Sequence, residues 1–170
     1  MTVAPEVREV LRADRPRWTA RENALRKNAW CRERFPGHDI LTADTVVVFR
    51  GRCIGKPSSL REATSFLRMF SGHEQRILTA IALSRPRRPC RCEVVESVVQ
   101  FKRIPARIIM AYLAKVDPMD KAGAYDIDQH GEMIIESCAG SRSNVAGLPV
   151  ERVKEWLGPC SQGRVRPGKV

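Results

Sequence analysis

From Ile40 to Phe49 the chain is β-branched and almost continuously apolar, and this run limits the possible folds more than any other segment. A strand with one wet face alternates apolar with polar residues, so an unbroken run of this kind predicts a strand covered on both sides. Such a strand needs packed elements above and below it. The 170 residues suffice for one such core and make a second hard to build. Thr42, Asp44 and Thr45 are the only polar residues in the run. Burying an ionised carboxylate costs several kcal/mol unless it is paired or binds a cation, so Asp44 needs a reason. It is either a carboxylate accepting backbone N–H hydrogen bonds or a general base or metal ligand.

Residues 17–35 lack Gly and Pro and repeat Ala20, Ala24, Leu25 and Ala29 at helical spacing, which predicts a helix ended by Phe35-Pro36-Gly37. Ser59-Leu60-Arg61-Glu62 reads as a capping box opening a helix that stops near Ser71-Gly72. Arg76–Ser84 and Cys92–Lys102, joined by R-P-R-R-P, predict an antiparallel hairpin. Pro105 is expected in the first turn of a helix over 105–116, with Ile108, Ile109, Tyr112 and Leu113 on its apolar side. Met133–Ile135 reads as a short strand, and Pro149–Leu157 as a helix stopped by Gly158. One domain over 1–158 and a flexible tail over 159–170 are expected, the tail being too poor in apolar residues to order itself.

Several function classes fall away. Even Ile104–Val116 is interrupted by Arg107 and Lys115, so no run reaches the ~18 apolar residues of a membrane helix. The N-terminus lacks a basic segment followed by an apolar one, so a cytoplasmic protein with six reduced cysteines is expected. Cys90 and Cys92 form C-x-C without a second pair at zinc spacing. His38, His73 and His130 lack the spacing of a zinc hydrolase, and no Walker A loop or nucleophile elbow is present. The formal charge of +11 comes mostly from arginine and favours a polyanionic partner without choosing among nucleic acid, nucleotide and phosphate.

Three loops could meet such a partner. Gly55-Lys56-Pro57 sets a lysine in a turn between a strand and a helix, suited to phosphate oxygens or simply to solvent. Asp117–Tyr125 gathers acids, a lysine and a glycine in one tight segment, as a ligand loop or a charged turn. Ser141–Pro149 offers hydroxyls, an amide and N–H groups before a helix, either an anion seat or an ordinary loop.

In order and spacing, A-D-T-V-V at 43–47, G-K-P at 55–57, S-G at 71–72, T-A at 79–80, D-K-A-G-A-Y at 120–125 and S-N-V-A-G-L-P at 143–149 resemble the Maf family of nucleoside triphosphate pyrophosphatases. The resemblance spans about residues 5–157, and Asn23–Lys27 and Glu9 in V-R-E-V fit it more loosely. It implies an α/β fold with a central mixed sheet, flanking helices and a nucleotide cleft. It also implies hydrolysis of a nucleoside triphosphate, dTTP or UTP foremost, to the monophosphate and pyrophosphate. Carried over by position, Asp44 takes the base role, and Glu9, Asp44 and Asp120 hold Mg²⁺ or Mn²⁺. Lys27, Lys56 and Lys121 neutralise the phosphates, with Thr45 beside them. A homodimer is among the assemblies open to it, and no membrane or nucleic-acid partner is expected. The rival reading is a Maf scaffold without catalysis that binds nucleotide or nucleic acid through its basic surface.

Two departures accompany the likeness. Members open with a strand and a turn resembling S-x-S-x-R-R, which this chain lacks. Either the start lies upstream or a strand and part of the pocket have been lost, leaving an exposed sheet edge. At 125–131 the chain reads Y-D-I-D-Q-H-G, with Asp128 where the thymidine and uridine nucleotide subgroup has a base-reading glutamine. An ionised carboxylate only accepts hydrogen bonds, so Asp128 is expected to alter base choice, or Gln129 to replace it after a one-residue shift.

Overall fold

Period-two geometry sends Ile40, Thr42, Asp44, Val46 and Val48 to one face of strand β1 (Ile40–Phe49) and the intervening residues to the other. The computed structural model describes residues 1–158, so the expected tail at 159–170 lies outside the described residues. Helix α1 (Pro16–Arg34) lies over the first face. Its buried stripe runs through Ala20 and Ala24, whose small side chains allow close approach to Val46 and Val48. Polar groups fix the docking. Thr42 Oγ1 donates to the Ala24 carbonyl at 2.8 Å, and Asn28 Nδ2 donates to the Ile40 and Ala82 carbonyls at 3.2 Å each. These buried donors reach partners, which spares their desolvation cost.

Strands β2 (Arg52–Ile54), β3 (Glu74–Ser84), β4 (Arg91–Phe101) and β5 (Ile135–Ala139) complete a sheet of order β2-β1-β3-β4-β5. The second face carries helices α2 (Leu60–Phe70) and α3 (Ala106–Leu113) over an aromatic cluster. There Phe49 meets Phe70 edge-on with centroids 5.3 Å apart, and Phe101 meets Tyr125 at 5.0 Å. Short α4 (Arg142–Val145) and α5 (Val150–Leu157) follow, with Val153 and Trp156 of α5 packed on Ile81 and Leu83.

The expected α/β architecture, doubly covered β1 and β3–β4 hairpin are present, but among the described residues every strand pairing is antiparallel rather than mixed. Ser59 caps α2 by accepting from Glu62 N–H at 3.2 Å, while the Glu62 carboxylate bonds Ser58 instead of returning to Ser59. Pro105 stands at the cap of α3, outside its first turn. The strand expected at Met133–Ile135 falls elsewhere: Gly131–Met133 is a 3-10 turn and β5 begins at Ile135. Glu136 and Ser137 of that edge strand face solvent, so the apolar signal fell on the turn before it.

Pairing along β1 is uneven. Its side away from β3 is taken up by β2 only at Val47–Phe49, so Ile40–Val46 has no strand beside it there among the described residues. An open edge lets side chains from both faces of β1 reach one cleft.

Candidate active site

That cleft, about 340 Å³, wraps the open edge of β1. Asp44 reaches it from the α1 face and Thr45 from the opposite face. Asn23 and Lys27, one helical turn apart on α1, both meet Asp44. Lys27 Nζ stands 2.6 Å from Asp44 Oδ1 and 2.7 Å from Glu9 Oε1, and Asn23 Nδ2 donates to Asp44 Oδ2 at 3.2 Å. The same Asn23 amide accepts from Val10 N–H at 2.9 Å and donates to its carbonyl at 3.1 Å, which ties the strandless N-terminal segment to α1 and brings Glu9 in.

Burial raises the Asp44 carboxyl above its ordinary value, against the downward pull of Lys27 and Asn23. Burial also works against the Lys27 ammonium, but the hydrogen bonds and charges of Asp44 and Glu9 outweigh it and hold Lys27 above its ordinary value. Asp44 is 7% exposed, so its charge is paired with an ammonium rather than with the backbone N–H groups that the simpler reading expected.

Two loops close the opposite wall. Gly123 N–H donates to the Gly55 carbonyl at 3.0 Å, joining the loop of Lys56 to that of Lys121. Gly123 has φ +75°, and an added Cβ would stand 3.3–3.4 Å from the Tyr125 ring and Val47, so both backbone and space favour glycine there. Lys121 Nζ lies 3.3 Å from both Asp120 and Asp126. Burial lowers its pKa, yet these two acids leave it raised. Thr45 Oγ1 shares a 2.8 Å hydrogen bond with Thr79 and faces the carbonyl of Gly147, and Val145–Gly147 finish the wall.

Glu9, Lys27, Asp44, Thr45, Lys56, Asp120 and Lys121 thus all line one cleft. Asp128 and Gln129 do not. Asp128 pairs with Arg142 and lines a neighbouring hollow, and Gln129 is exposed, so the structure brings neither into the wall that holds the other predicted residues. In the loop at 141–149, Ser141 and Ser143 bond Glu151 at 2.9 and 2.7 Å and Asn144 is wholly buried, so it is the Val145–Gly147 stretch that meets the cleft. Asn23 and Asp126 were missed as site residues. Asn23 lies four positions before Lys27 on a helix face, a spacing that could have revealed it, whereas only the fold brings Asp126 to Lys121.

Oxygen donors suit a hard divalent cation, and Lys27 already shows that a positive charge is accommodated between Glu9 and Asp44. Among the described residues no three Asp, Glu, His or Cys side chains converge as a preformed metal cage. That pattern fits an ion held by one or two carboxylates and completed by phosphate oxygens.

Fold and site together define an α/β protein whose cleft alternates carboxylates and lysines, a chemistry matched to phosphate groups and their cations. The chain belongs to the Maf family: the Maf-like protein model matches residues 1–159. The dTTP/UTP pyrophosphatase of Symbiobacterium thermophilum is 37% identical over 92% of this chain and 81% of its own length. That of Syntrophus aciditrophicus is 41% identical over 72% and 60%. A nucleoside triphosphate pyrophosphatase of Haemophilus ducreyi is 40% identical over 70% and 60%. The chain therefore spans less than two thirds of some of these relatives. Their names do not favour the rival reading of a scaffold without catalysis. No helix among the described residues is long and apolar enough to cross a membrane.

Proposed function

We propose that the cleft hydrolyses nucleoside triphosphates, dTTP and UTP foremost, to the monophosphate and pyrophosphate. The observation that carries this is Asp44, a buried carboxylate with a raised pKa, set in a cleft shared with Lys27, Lys56 and Lys121. The choice of dTTP and UTP comes from the names of the relatives.

In the proposed reaction Asp44 takes a proton from water as the water oxygen bonds the α-phosphorus. The bond from that phosphorus to the bridging oxygen of pyrophosphate breaks, and its electron pair leaves with pyrophosphate. A carboxylate of ordinary pKa is a weak base at neutral pH, so the upward shift from burial suits the task. Lys27, Lys56 and Lys121 offset the negative charge that opposes attack, each exchanging a carboxylate or solvent contact for a phosphate oxygen. Of Glu9, Asp44 and Asp120, one or two would hold Mg²⁺ or Mn²⁺ together with phosphate oxygens, and the ion would supply further charge neutralisation.

Asp44→Asn is the direct test. The amide is nearly isosteric but takes up no proton, so the variant should keep the parent's circular dichroism and lose pyrophosphate release from dTTP by on the order of a hundredfold or more. Release at the parent rate would end the assignment of Asp44 as the base.

A further inference from the structure

Behind the cleft wall lies an ion pair to which the reaction scheme gives no role. Arg142 Nε and Nη2 both meet Asp128 Oδ1, at 3.0 and 2.9 Å, and Nη2 also donates to the Ile127 carbonyl at 2.7 Å. Ile127 lines the cleft, while Asp128 and Arg142 line an adjoining hollow that shares Ala146 with it. The base of Arg142 is firm. Ser141 caps α4 by accepting from Asn144 N–H at 3.1 Å, and buried Asn144 donates to Ser97 Oγ at 3.0 Å and to the Ile77 carbonyl at 3.3 Å.

The turn it grips leads back to the phosphate side. Asp128 N–H donates to Asp126 Oδ1 at 2.8 Å, and Asp126 Oδ2 stands 3.3 Å from Lys121 Nζ. At its start the turn is held by Tyr112, whose hydroxyl accepts from Asp126 N–H at 2.9 Å and donates to the Asp126 carbonyl at 3.2 Å. The far end is held by Arg142. We propose that Arg142 is a positioning residue: it clamps Ile127 and Asp128 so that Asp126 keeps Lys121 aimed into the cleft. Exposed ion pairs commonly contribute little, but this guanidinium grips a carboxylate with two nitrogens and a main-chain carbonyl with a third contact.

The kinetic half of the test rests on the pyrophosphatase reading; the binding half does not. Arg142→Ala, Asp128→Ala and the double variant are compared with the parent for dTTP and CTP hydrolysis with Mg²⁺, and for pyrophosphate affinity by calorimetry. A clamp predicts that each single change raises KM for both nucleotides and Kd for pyrophosphate about threefold to fivefold, with kcat little changed. It also predicts a double variant no worse than the worse single one. Simple charge steering predicts the opposite sign for Asp128→Ala, since losing an acid would tighten a polyanion. Asp128→Ala at or below the parent's KM and Kd, or additive losses in the double variant, would overturn the clamp. Should Arg142→Ala fail to melt cooperatively, Arg142→Gln, which keeps one donor, replaces it. A parent that binds pyrophosphate but releases none from dTTP defeats the proposed function and leaves the Kd comparison to judge the clamp. A parent without measurable pyrophosphate affinity overturns the clamp as well.

Discussion

At the scale of single residues, the site is governed by the pair Asp44 and Lys27. Because burial raises Asp44 above its ordinary 3.8, the proposed base is protonated at a higher pH than a free aspartate would be. A kcat/KM profile for dTTP should therefore fall on the acid side through a pKa above 3.8. Stability runs the other way at this group. A carboxyl whose folded pKa is raised contributes most below its unfolded value, and that contribution is lost as pH rises through the folded value. Asp44 thus trades stability for function over one pH window, and an acid limb at or below the free-aspartate value would contradict its burial. In the proposed reaction Lys56 and Lys121 meet the phosphate chain. Lys56→Ala and Lys121→Ala should each weaken triphosphate binding on the order of tenfold while changing monophosphate affinity less, because a charge-assisted contact to the outer phosphates is lost. Calorimetry with dTTP and dTMP reads the difference, and equal losses would remove both residues from the phosphate chain.

Among the elements, the D-K-A-G-A-Y loop is the most constrained. Gly123 at φ +75° and Ala124 at φ +64° both occupy left-handed backbone, and the loop is pinned by Tyr125 in the aromatic core and by the Gly55 carbonyl. Gly123→Ala should cost about 1–2 kcal/mol of stability, seen in urea melts, and slow dTTP hydrolysis by displacing Lys121. A variant with the parent's melting curve and turnover would show that the loop yields without cost. Element boundaries were readable where one residue type dictates them: Ser59 caps α2, and Gly158 at φ +73° follows α5. β5 was misread because an edge strand with one wet face lacks a continuous apolar run.

For the whole molecule, the side of Ile40–Val46 that has no strand beside it among the described residues shapes the cleft. A groove of about 600 Å³ runs along Ile40–Ala43 and shares Lys27 with the cleft. An N-terminal extension carrying an extended segment and the S-x-S-x-R-R pattern should raise both Tm and turnover, because it would pair this edge and bring hydroxyls and guanidinium groups to the phosphates. A fusion that melts and turns over like the parent would mean that the edge accepts no strand. The sequence by itself determined the doubly buried β1, the anomaly of Asp44 within it, the β3–β4 hairpin and the loops bearing Lys56 and Lys121, because periodicity and turn chemistry are local properties. Only the tertiary structure decided that Asn23 and Lys27 meet Asp44, that Asp126 braces Lys121, and that Asp128 pairs with Arg142. These pairings join residues from separate elements. Period two assigns a residue to a face, but which charge stands opposite it is set by how helices and loops pack on the sheet.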